Sequence, residues 1–412
     1  MTTSEADLAR SLLSPRAVRE RAHALLDKGI RGELVHFEVD SGRLARCADY
    51  VLDVIRSNYP TLDVPFHARW RHFAAGGFDR WATLDRDTTW ANSAAKARAA
   101  FDLAITSVLL DAGAGPDWRY RETASGESFA RSEGLAVASF DMFVAGRFSA
   151  DPASRLRADA NRLADLDPAD LAAGFQVDAD NPMVGLEGRA ALLRRLGEAV
   201  AAEPGVFGRA DAPRPGGLFD YLAAQAENGV LPAEAILAAL LEHLGPIWPG
   251  RISLGGVDLG DTWRHPAVEA PDATAGLMPF HKLSQWLAYS LIEPLQAADI
   301  GVSGIDGLTG LAEYRNGGLF IDAGVLRLRD PAAAAIPHAV DSELVVEWRA
   351  LTVALLDDVA GLVRHRLRLT PEAFPLAKVL EGGTWAAGRR IARQKRVDGG
   401  PPLTVISDGT VF

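Results

Sequence analysis

The sequence predicts a mainly α-helical protein, one multi-helix globular fold with a few short strands, on three observations. Apolar residues recur at helical spacing in segment after segment, strand-like alternation is rare and brief, and a composition of 48% hydrophobic and 24% charged residues is that of a chain able to bury a core. No repeat period or low-complexity tract divides the 412 residues, so 1–412 is read as a single helical catalytic domain. The polar, Asp-rich stretch from Asp151 to Pro182, with Pro152 and Pro168, is its one candidate surface connection.

Ser14-Pro15 followed by Val18, Ala22, Leu25 and Leu26 reads as an N-capped amphipathic helix ending near Gly29. Val35, Phe37 and Val39 alternate with His36 and Glu38 as in a short strand, and Ser41 opens a helix to Ile55. Asn92 caps a helix to Asp111 on the spacing of Phe101, Ala104, Ile105 and Val108, with Gly113 as its C-cap. Helical spacing continues through Leu186 to Ala202, Phe219 to Ala226, Pro232 to Leu244, His281 to Ile292, Leu308 to Arg315, Ser342 to Leu367 and Pro371 to Arg393. Gly245 to Pro266 reads as an ordered loop or hairpin, and Leu403 to Ile406 as a terminal strand.

Charge and motifs narrow the function. A net charge of −11 opposes binding to a phosphate backbone or an anionic membrane, so neither nucleic acid nor membrane is an expected partner. Cys47 is the sole cysteine, which excludes an intrachain disulfide and suits a reducing cytoplasm. The first thirty residues carry charges throughout and no apolar signal run, so a cytoplasmic location is expected. No HExxH or Cys/His ligand set occurs, and no metal or other cofactor is expected. Gly113-Ala114-Gly115 lacks the third glycine of a dinucleotide fingerprint, and Gly301-Val302-Ser303-Gly304 is not a nucleophile elbow.

Several segments carry chemistry-bearing residues. Lys282, Gln285, Tyr289 and Glu293 form a polar stripe beside the apolar Leu283, Trp286, Leu287 and Leu291, either a solvated face or a pocket wall offering a cation, an amide, a phenol and a carboxylate. In Asp306 to Gly318, Asp306 reads as an N-cap and the glycines as a stop, which sets Glu313 and Arg315 near a helix C-terminus, where a carboxylate is mildly unfavourable. Asp322 is an acid among apolar residues, a site group or a cap; Glu347 and Arg349 flank a buried face, with an interhelix ion pair as the plain alternative. His67-Ala68-Arg69-Trp70-Arg71-His72-Phe73 gathers two arginines and two histidines that suit a phosphate or simply cover aromatic residues.

Taken together, HARWRHF, SVLLDAGAGPDWRY, RSEGLA, FHKLSQWLAYSLIEPL, LTGLAEYRNGGLF, ELVVEWRALT, GGTWAAGR and SDGTVF resemble the uracil-catabolism protein family of bacteria and fungi over nearly the whole chain. That resemblance implies a pyrimidine-degrading route with ribosylurea intermediates. A weaker likeness is to the queuosine 5′-phosphate N-glycosylases, whose FxKxxQ, LTxxADYRxPQ and EVEIR segments are matched in order by Lys282 and Gln285, by Leu308, Thr309, Ala312, Tyr314 and Arg315, and by Glu347 and Arg349. It implies an N-glycosylase-like helical architecture. Glu313 stands where that family has aspartate, and Asn316-Gly317-Gly318 replaces the residue followed by Pro-Gln.

The expected activity is therefore hydrolysis of the N-glycosidic bond of a ribosylurea, taken as its 5′-phosphate, releasing urea and sugar. Glu313 is expected to oppose the positive charge that builds on the sugar, with Asp322 or Glu347 protonating the leaving urea. Lys282, Arg315, Arg69 and Arg71 are expected to hold phosphate, and Gln285 and Tyr289 to bind sugar or urea, with Arg349 beside them. A hydrolase of the ureido group, or a non-catalytic metabolite-binding pathway protein, are the alternatives. The only expected partner is a small ribosylated or phosphorylated substrate, held in a pocket shared by the N-terminal helices and the C-terminal half.

Overall fold

A computed structural model describes residues 4–111, 113–208, 212–248 and 252–406. The protein is mainly helical, and its strands, two or three residues each, pair only in twos. None of the described helices is long and apolar enough to cross a membrane. The likeness at Ser407 to Phe412 lies outside the described residues, as does Ala112 within SVLLDAGAGPDWRY.

The capping chemistry places the helices that matter here. Helix α1 (Pro15–Ile30) starts where Ser14 accepts the Ala17 N–H, with proline in its first turn. Strand β1 (Phe37–Val39) follows, shorter than its alternation suggests, and a 3-10 turn from Ser41 to Arg43 leads into α2 (Leu44–Asn58). Helix α3 (Ser93–Leu109) is capped by Asn92, as its sequence predicts, but Gly113 lies beyond its C-cap at Leu110. Helix α4 (Arg131–Val144) packs beside α3. The 151–182 stretch contains two short helices whose Leu163 and Leu171 are buried.

Helix α5 (Lys282–Gln296) carries Pro294 internally. Proline has no N–H for the carbonyl four residues back, so Ser290 O is freed, and the Trp70 indole N–H donates to it at 2.7 Å. Ser290 Oγ accepts the Arg69 N–H at 2.9 Å, and the HARWRHF segment is thereby docked on α5. That segment is no surface helix: only Trp70–Phe73 is helical, and His67, Arg69 and His72 are buried.

Leu308 to Glu313, expected to be helical, is not. Helix α6 runs instead over Tyr314–Asp322, so Gly317 and Gly318 are inside it rather than stopping a helix. Both serve close approach: a Cβ on Gly317 would lie 2.7 Å from the Trp348 ring, and one on Gly318 3.0 Å from Pro402. Strand β2 (Leu326–Leu328) pairs antiparallel with β1, and β3 (Pro337–Ala339) pairs parallel with β4 (Thr404–Ile406). Helix α7 (Glu343–Leu367), capped by Ser342, packs on α1 and α2. A π-helical turn at Leu380–Thr384 leads into α8 (Trp385–Lys395), which packs on α6.

Buried side chains from Val18 to Leu403 join in one connected core. Each fully buried Leu, Val or Phe contributes about 1.5–3 kcal/mol relative to exposure, so the core dominates the interactions that hold the cavity walls in register. A small satellite of Ala9, Leu12, Leu259 and Leu277 seats the helix Glu5–Leu12 that precedes α1.

Candidate functional site

A cavity of about 380 Å³ opens between the start of α5, the start of α6, the end of α3 and the start of α8. It faces Asp111, Lys282, Glu313, His72 and the rings of Trp286 and Trp385. An outer chamber of about 640 Å³ shares His67, His72, Glu133 and Trp385 with it and is lined by Arg71, Arg119, Arg131, Arg315, Arg389 and Arg393. A largely apolar slot set with a few charged groups and opening on an arginine-rich outer chamber suits a small anionic metabolite.

Glu313 is the N-cap of α6, the reverse of its expected place at a helix C-terminus. Its two carboxylate oxygens accept the N–H groups of Arg315 and Asn316, each at 2.6 Å, and the helix dipole favours its charge there. Burial pushes its pKa up against those two bonds and the nearby Lys282 cation.

Asp111 follows the last turn of α3. Burial would raise its pKa, but the Arg69 guanidinium, 2.9 Å away, together with Lys282 holds it below the usual carboxylate range. Ser132 Oγ donates to its second oxygen at 3.2 Å. Arg69 itself is fully buried and also donates to Ser107 Oγ at 2.8 Å, so this expected phosphate ligand is committed to Asp111 behind the cavity wall. Arg71 does reach the outer chamber, paired with Glu293 at 2.5 Å.

His67 and His72 sit between the rings of Trp286 and Trp385, with centroids 5.6–6.3 Å apart. His67 Nδ1 is 2.7 Å from Glu381 Oε2. Burial, then repulsion from Arg69, lowers the His72 pKa to about 4, so its ring is neutral near pH 7. Glu133 is held below its ordinary pKa, against burial, by its cationic surroundings, with Arg389 Nη1 at 2.9 Å.

Other expected site residues position this cavity from outside it. Gln285 Oε1 accepts the Thr309 N–H at 3.2 Å and Tyr289 OH donates to Thr309 O at 3.0 Å, so both grip the loop that ends on Glu313 rather than line the pocket. Arg349 makes a two-pronged pair with Asp261, both contacts 2.8 Å, and stacks 4.0 Å over Phe280. Asp261 in turn accepts the Lys282 N–H at 3.0 Å, capping α5 from a distant segment. Lys282 Nζ has no hydrogen-bond or ion-pair partner among the described residues, and burial lowers its pKa.

Two expected proton donors are elsewhere. Asp322, at the far end of α6, is bound through both oxygens to Arg396 at 2.5 and 2.8 Å. Glu347 is fully buried and accepts the His36 and Phe37 N–H groups at 3.2 and 2.8 Å. Neither lines the cavity. Arg315 does, donating to Gly399 O at 2.8 Å and lying 4.9 Å from the Tyr314 ring centre.

Arg131 and Trp385 are the cavity groups that the sequence does not single out; Asp111 and Glu133, which the sequence leaves open as N-terminal residues able to complete the pocket, both line it. One signal existed for Asp111, an acid at the end of a long apolar helix followed at once by Gly113 and Gly115.

Residues 11–412 match the family model described as "Protein of unknown function (DUF1688)". The chain is 39% identical over 409 residues to the protein urg3 of Schizosaccharomyces pombe, covering 97% of this chain and 98% of that one. It is 38% identical over 413 residues to uracil catabolism protein 4 of Lachancea kluyveri, covering 92% and 93%.

Proposed function

This chain is a member of the DUF1688 family and of the uracil-catabolism protein family, and from that premise we propose that it acts in uracil catabolism as a hydrolase of the C1′–N bond of a ribosylurea, taken as its 5′-phosphate. The observation that carries this reading is a pair of carboxyl groups facing one cavity whose surroundings drive them apart, Asp111 downward and Glu313 upward. Such a pair separates a permanent charge from a group that can exchange a proton.

As the C1′–N bond breaks, positive charge builds on the sugar, and the ionised Asp111 opposes it. Glu313 protonates the departing urea nitrogen, water adds to C1′, and the proton that water loses restores Glu313. The two roles differ from those expected from sequence, because Asp322 and Glu347 are committed to Arg396 and to the β1 backbone. Lys282 binds an oxygen of the sugar or urea, the tryptophan rings enclose the apolar edges, and Arg131, Arg315 and Arg389 hold the phosphate at the mouth. Arg131 has no ion-pair partner among the described residues, which leaves it available to an anion.

The test is to supply purified protein with ribosylurea 5′-phosphate and follow urea and ribose 5-phosphate. Release of both is expected, with Glu313→Gln and Asp111→Asn each slower by about 100-fold or more. Products that keep ribose bonded to nitrogen would shift the reading to ureido hydrolysis. Ligand-induced stabilisation without turnover would make the protein a metabolite binder.

A further inference from the structure

Away from the cavity, a second set of chemistry-bearing groups meets where β1 joins α7. His36 and one oxygen each of Glu343 and Glu347 lie within 4.8 Å of one another. The i, i+4 spacing puts both carboxylates on one face of α7, and His36 reaches them from the residue before β1.

Glu347 is fully buried, and its oxygens are used unequally. Oε1 accepts the two β1-side N–H groups, while Oε2 has no hydrogen-bond partner. His36 Nε2 is also buried without a hydrogen-bond partner, 3.6 Å from Glu343 Oε1. No lysine or arginine pairs with Glu343 or Glu347 among the described residues. Arg329, the cation of the adjoining groove, is engaged by Glu38 and by the carbonyls of Gly32 and Leu34. A buried carboxylate oxygen and a buried ring nitrogen close together, each without a hydrogen bond, are what a cation resolves.

His265 completes the surroundings. Its Nδ1 accepts the Ala267 N–H at 3.2 Å, which puts the ring proton on Nε2, 3.3 Å from Glu347 Oε2 though off the hydrogen-bond line. With its proton there it is an outer partner of the carboxylate rather than a ligand, the arrangement that orients metal-binding carboxylates.

We propose that His36, Glu343 and Glu347 bind one divalent transition-metal ion, with Zn²⁺ the best match to an imidazole nitrogen and two carboxylate oxygens. Three protein ligands, with His36 and Glu343 bordering a groove of about 570 Å³, leave a coordination position for water. The ion would tie the start of β1 to the first turns of α7. It shares no residue with the cavity, so its failure and the failure of the hydrolase reading are separate results.

Chelator-stripped full-length protein, dialysed against Zn²⁺ and measured by plasma mass spectrometry, tests this. One zinc per chain and a raised Tm are expected. His36→Ala and Glu343→Gln should each bring bound zinc to background with an unchanged circular dichroism spectrum, and His265→Gln should weaken binding by about tenfold. Glu313→Gln should keep its zinc. Glu347 is left intact because its Oε1 holds the β1 backbone. No zinc above background in the parent protein, or undiminished zinc in both His36→Ala and Glu343→Gln, overturns the proposal.

Discussion

At the scale of single residues, the cavity is governed by what each charge is set against. Lys282 was legible as a polar group on an otherwise apolar helix, and it does face the cavity. Gln285 and Tyr289 share its stripe but not its fate, because the stripe winds around α5 while the loop at Thr309 covers its second and third positions. Spacing along one helix cannot reveal which neighbour lies over it.

His72 gives a residue-scale prediction. Its folded pKa of about 4 lies below its ordinary 6.5, so between those values the unfolded chain binds more protons, and stability falls as the pH falls through that window. The loss amounts to about 3 kcal/mol at the low end. Denaturant titrations from pH 7 to 4 should show this limb in the parent protein and a flatter one in His72→Asn. Equal slopes in both would remove His72 as its source.

At the scale of elements, amphipathic helices are legible because burial on one face leaves its period in the sequence. The N-caps Ser14 and Asn92 are equally visible, their side chains accepting nearby N–H groups. The error at 308–315 has a physical cause: Gly317 and Gly318 look like a stop, yet they are there so that α6 can approach Trp348 and Pro402. With the helix displaced, Glu313 changed from a strained C-terminal acid to a satisfied N-cap.

The start of α5 offers an element-scale test. Arg349 and Asp261 form a buried pair whose purpose is to hold the Lys282 end of the helix, so removing one partner leaves an uncompensated charge. Arg349→Met is expected to cost about 3–5 kcal/mol in urea denaturation. Adding Asp261→Asn, which keeps an oxygen to accept the Lys282 N–H, should restore part of that loss. A double variant no more stable than the single one would show that the pair is not the origin of the effect.

At the scale of the whole molecule, the cavity draws on the ends of α3, α4, α5, α6 and α8, and on the segment from Gly400 to Val405. No stretch of sequence announced this, since convergence of distant segments leaves no local period. The exposed stretch from Asp151 to Arg155 lies outside the core and is the place to cut. After limited proteolysis there, the two fragments are expected to co-elute in size-exclusion chromatography under native conditions, because core contacts run between α3 and α5 on either side of the nick. Two separate, folded peaks would contradict it.

The wall formed by Gly400, Pro401, Leu403 and Val405 has a consequence for synthesis. Translation delivers Asp111 early and this wall very late, and the domains of a growing chain form from the N-terminal side. Until residues 400–405 have been made, the side of the cavity they line has no wall, although Asp111 and Glu133 are already in the chain. The cavity gains this wall only when the last stretch docks, so a chain stalled short of residue 400 leaves it open on that side.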